Sequence, residues 1–114
     1  MLILGIDPGS RKTGWGLVRR LGNRHEHVVS GTIRLDESAP LPERLLALDQ
    51  ALEALLAEHH ADAAALEQIF SAKNARSALV LGHARGVIIA AIARRGIPLA
   101  EYTPTQVKQA VTGT

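Results

Sequence analysis

Two short apolar runs, each closing on a carboxylate, constrain this chain more than any other feature. LILGID (residues 2–7) and AAALE (residues 63–67) have strand length, not helix length, and turn-forming or polar residues follow them. Pro8-Gly9 stops the first run in a turn. Between the two runs, Leu41, Leu45, Leu48, Leu52 and Leu55 recur at spacings of four and three. That stripe predicts a helix running to about His60, with Pro42 suited to its first turn. A strand, a helix and a second strand predict a parallel pair. Asp7 and Glu67 then fall at matching strand ends, about 4.8 Å apart if the strands are neighbours.

The rest of the chain completes an α/β pattern. WGLVRR (15–20) and HVVSGTIRL (27–35) read as second and third strands about a Leu21-Gly22-Asn23 turn, forming an antiparallel meander with the first. Gly31 inside the third strand predicts a bulge. Residues 68–76 read as a polar loop or frayed helix start, and 77–95 as a second long helix ended by Arg94-Arg95-Gly96. Residues 98–102 read as a fifth strand, and Thr103-Pro104-Thr105 caps a short helix through Val111. The order is a mixed sheet with helices, an α/β class, and 114 residues without a linker imply one domain.

Composition narrows the chemistry. Cysteine is absent, so disulfides and thiolate metal sites are excluded, and a reducing cytoplasm is compatible. The first residues have no basic region or cleavage site, so they read as a strand and not a signal peptide. No apolar run is expected to cross a membrane. The net charge of +2 suits a polyanionic partner, with acids gathered between Asp36 and Asp62 and cations spread elsewhere. No histidine spacing reads as a metal motif, and His83 reads as packing or surface.

Two carboxylates converging on one small volume repel unless one is protonated or a cation lies between them. Hard oxygen donors without cysteine favour Mg²⁺, with Mn²⁺ as substitute. Such a site suits phosphodiester hydrolysis, in which two ions roughly 3.5–4 Å apart activate water and stabilise the leaving oxygen. The structural alternative for Asp7 is a turn cap before Pro-Gly. The turn DPGSRKTGWG brings Gly9, Ser10, Arg11, Lys12 and Gly14 together, either as a phosphate contact or as a plain hairpin. Phe70 lies beside Lys73, Asn74 and Arg76, the mixture that unstacked bases bind, or else it folds back onto the core. On the second helix, Ala78, Gly82, Gly86 and Ala90 make a small-residue stripe. It lets a backbone approach closely, either from the sheet or from the same helix of a second subunit, with Leu79, Val87 and Ile88 alongside.

Three blocks in order carry a family likeness. ILGIDPGSRKTGWG, LEQIFSAKNARSALVLGHARG and YTPTQVKQAVTG together resemble RuvC-type Holliday junction resolvases from end to end of the chain. The resemblance implies a ribonuclease-H-like fold: a five-stranded mixed sheet of order 3-2-1-4-5 with helices on both faces. It implies a magnesium-dependent crossover junction endodeoxyribonuclease that is a homodimer; the small-residue stripe makes the second helix the expected dimer surface, and a cytoplasmic location is expected. Such an enzyme binds four-way junction DNA and works with RuvA and RuvB. Carried over by match, Asp7 and Glu67 are catalytic metal ligands, Phe70 contacts or wedges bases near the crossover, Lys73 and Asn74 support that loop, and Lys108 sits near the scissile phosphate; Arg76, beside them in sequence, is expected to join the DNA-binding set. The family continues beyond the third block with a basic loop and a final helix bearing the remaining ligands. Within residues 1–114, Glu101 is the only acid after Glu67. These residues by themselves are expected to form an incomplete metal site with weak Mg²⁺ binding, poor cleavage and an uncovered apolar patch. Two other readings remain open at this point: a YqgF-type RNA nuclease, and a non-catalytic junction-binding module.

Overall fold

The computed structural model describes residues 1–9, 11–68 and 74–102. The elements run β1 (Leu2–Asp7), β2 (Lys12–Leu21), β3 (Arg24–Arg34), α1 (Leu41–Glu58), β4 (Ala63–Glu67), α2 (Ala75–Arg94) and β5 (Leu99–Tyr102). The sheet has the order β3-β2-β1-β4-β5, as the resemblance implies. β1 pairs antiparallel with β2 and parallel with β4, so the two apolar runs are neighbours at the centre of the sheet. Flanked on both edges, these two strands pair their backbone groups on both sides, and Leu4, Ile6, Ala64 and Leu66 are buried on one face.

β2 and β3 extend further toward their shared turn than the residue pattern predicts. Gly22 has φ of 63° there, a conformation that side-chain-bearing residues rarely adopt. The bulge is not at Gly31. Leu17 pairs with Val29 and Val18 with His27, so the register slips at Val28. Gly31 lies opposite Trp15 instead, and a methyl group on it would stand 2.8 Å from the indole Cζ2. The glycine makes room for the indole, whose ring centre lies 5.7 Å from that of His59 at the end of α1.

Strand alternation sorts the sheet into two faces. Leu4, Ile6, Leu17, Ala64 and Leu66 point to one of them and join Leu48, Leu52, Leu55 and Leu56 of α1 and Ala84, Ile88, Ala91 and Ile92 of α2 in a single core. Both described helices therefore cover the same face. The short helix expected at 105–111 lies outside the described residues. Leu48, Leu52 and Leu55 of the leucine stripe are buried and Leu41 and Leu45 half-buried, so the stripe faces the sheet along its length.

α2 departs from the sequence reading in two ways. Ile88 is fully buried in the core and contributes nothing to an outer seam. Ala78, Gly82, Gly86 and Ala90 are all exposed, and a methyl group added at Gly82 or Gly86 meets no atom within 4 Å. Sheet packing thus does not explain the small stripe. By length and composition the 20-residue α2 is also apolar enough to cross a membrane, contrary to the sequence expectation. Its inner face, however, is fixed in the core of the domain.

Candidate active site

The site is built at the end of the sheet where β1 and β4 stop. Their pairing runs from Ile3 beside Ala63 to Ile6 beside Leu66, one step before Asp7 and Glu67. Parallel neighbours in register point equivalent side chains to the same face. Leu4, Ile6, Ala64 and Leu66 go into the helix-covered core, so Asp7 and Glu67 belong to the opposite face. The row extends sideways. Asp7 pairs with Gly14 of β2, Gly14 with Thr32 of β3, and Glu67 with Tyr102 of β5. Asp7 is exposed and has no hydrogen-bond or ion-pair partner among the described residues, which does not fit a turn cap.

Beside Asp7 lies an open cleft of about 330 Å³ lined by Asp7, Pro8, Gly9, Arg11, Lys12, Gly14 and Thr32. Gly9 is required by a close approach: a Cβ there would overlap the carbonyl oxygen of Lys12. The tight DPG turn thus brings the start of β2 back against the end of β1.

From the helix side, Arg85 of α2 reaches the same strand end. Its Nη1 donates to the backbone carbonyl of Glu67 at 2.7 Å in a half-buried setting. An ionised donor makes this stronger than a neutral hydrogen bond. Arg85 thus ties the middle of α2 to the residue that closes β4.

The family model described as Crossover junction endodeoxyribonuclease RuvC matches residues 3–114. The chain belongs to the RuvC family. The Alkalilimnicola ehrlichii relative is 52% identical over 97% of this chain and 67% of its own length. The Sorangium cellulosum relative is 50% identical over 99% of this chain, which spans 63% of that protein. Among solved structures, Thermus thermophilus RuvC in complex with Holliday junction substrate superposes with a TM-score of 0.82 at 27% identity, over 96% of this chain and 68% of that one.

The other residues that the RuvC likeness singled out are divided. Asn74 is the N-cap of α2, and its side chain accepts a hydrogen bond from the backbone N–H of Ser77 at 2.9 Å. Its role in the described structure is to start the helix. Arg76 is exposed in the first turn of α2, where no acid accompanies it. Phe70, Lys73 and Lys108 lie outside the described residues. Sequence reasoning missed the anchoring role of Arg85 and the place of Thr32 in the Asp7 row. Neither has a local signal: the first depends on how α2 packs on β4, and the second on a register set by a bulge.

Among the described residues, no three His, Cys, Asp or Glu side chains gather into a cation cage. The pair at the β1 and β4 ends is an all-oxygen donor set on one face. It fits a hard divalent cation that completes its shell with water or substrate oxygens.

Proposed function

We propose that this protein is a structure-specific DNA endonuclease that resolves four-way junctions by paired, magnesium-dependent hydrolysis of phosphodiesters in recombination and repair. The observation that carries the reading is the parallel β1–β4 pair closing on Asp7 and Glu67, in a chain of the RuvC family. In this reading residues 1–114 are a single nuclease domain, and Asp7 and Glu67 hold the cation, with Mn²⁺ able to replace Mg²⁺. A divalent ion there, or a pair of them, supplies the positive charge that stabilises a phosphodiester as negative charge builds on it.

The protein's own groups do the positioning. The central strands, fixed by core residues on one face, hold both carboxylates at one height on the other. Arg85 restrains the Glu67 main chain, so that carboxylate starts from a defined backbone position. The segment bearing Phe70 and Lys73, with Arg76 and Lys108, contacts the DNA near the crossover. Asn74 fixes the start of α2, where that segment ends, by capping the helix. The exposed small stripe of α2 is the homodimer surface, which places two sites on one junction. A cytoplasmic location and cooperation with RuvA and RuvB complete the proposal.

The test is cleavage of a synthetic four-way junction by the complete gene product in Mg²⁺. Symmetric paired nicks are expected, with Asp7→Asn and Glu67→Gln binding the junction but leaving it uncut. Wild-type cutting rates in Asp7→Asn, or preference for structured RNA over junction DNA, would contradict the proposal.

A further inference from the structure

The cleft beside Asp7 contains more positive charge than the sheet needs. Lys12 and Gly14 lie on the same face of β2 as Asp7 does on β1, because Asp7 pairs with Gly14 and alternate residues share a face. Lys12 stands two residues from Gly14, roughly 6.6 Å along the strand. Gly14, which lines the same cleft, puts no side chain between Lys12 and Asp7. Arg34 of β3 is the direct cross-strand partner of Lys12. Two like charges opposite one another on a sheet are destabilising. Neither Lys12 nor Arg34 has an acidic partner among the described residues. Arg11, the other cation of the cleft, differs: its Nε lies 2.7 Å from the Glu37 carboxylate. The unpaired charge in the cleft is therefore that of Lys12, with Arg34 beside it and the Thr32 hydroxyl across from Gly14.

We infer that this cleft is a seat for a DNA backbone phosphate, with Lys12 as its principal ligand and Arg34 as a supporting charge. The seat takes a phosphate neighbouring the one that Asp7 and Glu67 act on, and so sets the register of the strand across the site. The inference rests on the nuclease reading above. Lysine suits the task as a compact charge on a flexible stem, since a backbone phosphate needs no planar fork. Contacts of this kind position the nucleic acid without reading its sequence.

The test uses the complete gene product with Ca²⁺ in place of Mg²⁺, so that binding to a four-way junction is read without cutting. A series of junctions carries one uncharged methylphosphonate at each position flanking the cut. Wild type is expected to lose affinity about tenfold at one flanking position, the effect of removing one charged contact. Lys12→Ala is expected to bind the unmodified junction about tenfold more weakly, with the salt-dependence slope reduced by about one. It should show no additional loss at that position, and Lys12→Arg should restore both effects. The inference is overturned if Lys12→Ala binds unmodified junction like wild type, or keeps the wild-type loss at every modified position. A thermal melt of each variant separates misfolding from a lost contact. Failure of the underlying nuclease reading appears differently: wild type itself would not prefer the junction to linear duplex.

Discussion

Replacing Arg85 with alanine removes a hydrogen bond that joins α2 to the end of β4. The bond is 2.7 Å long, its donor is ionised, and its acceptor is the carbonyl of Glu67 in a half-buried position. A hydrogen bond from a charged group contributes about 1.5–3 kcal/mol. Partial access of water to the orphaned carbonyl favours the lower end of that range. For a domain near 100 residues, about 1.5 kcal/mol corresponds to a fall in Tm of roughly 6–12 °C. Urea unfolding and calorimetry measure it directly. Asn74→Ala is the matched control. It deletes the α2 cap, a loss of about 1 kcal/mol, but leaves the β4 end untouched. Both variants should be destabilised, but only Arg85→Ala should weaken Mn²⁺ binding, because only it frees the main chain of Glu67. Arg85→Lys should recover part of the stability and of the metal affinity. An Arg85→Ala protein within about 0.5 kcal/mol of the parent, the usual range for an idle surface residue, would refute the reasoning. So would equal losses of Mn²⁺ affinity in Arg85→Ala and Asn74→Ala.

Two other perturbations probe separate surfaces. Gly82→Leu adds a side chain where the fold leaves open space, and leucine is the better helix former by about 1 kcal/mol; sedimentation should show dimer lost with the melting temperature unchanged or raised, and a persistent dimer would move the interface away from α2. Asp36 is held below the ordinary aspartate range first by the hydroxyl of Ser38, which donates to Oδ1 at 2.6 Å, and then by the Ser38 backbone N–H. A depressed carboxyl stabilises the fold above the ordinary aspartate range and loses that contribution as pH falls through the depressed value. Ser38→Ala should therefore raise the Asp36 titration midpoint in an NMR experiment, with little change in stability because the group is exposed, and an unmoved midpoint would contradict the assignment.

The central strands were legible because buried strands need unbroken apolar runs, and LILGID and AAALE have them within their observed bounds. α1 was legible from its leucine spacing. The parallel arrangement followed from the helix between the runs, and with it the placing of Asp7 and Glu67 at the ends of neighbouring strands. Features that depend on contacts between distant elements were not legible. Gly31 looks like a bulge until Trp15 is placed opposite it. Ile88 looks like a seam residue until α2 is rotated onto the sheet. Arg85 looks like surface charge until α2 meets β4. The small stripe of α2 had two readings from sequence, and the open space beside Gly82 and Gly86 shows that, among the described residues, the sheet does not pack against it.

A crystal of the complete gene product soaked in Mn²⁺, with anomalous scattering recorded at the manganese edge, probes the shared-cation site most directly. A peak bridging the Asp7 and Glu67 carboxylates, and absent in Asp7→Asn, is the expected result. At saturating Mn²⁺, an empty map at these strand ends, or side chains of residues 7 and 67 turned to opposite faces of the sheet, would contradict it.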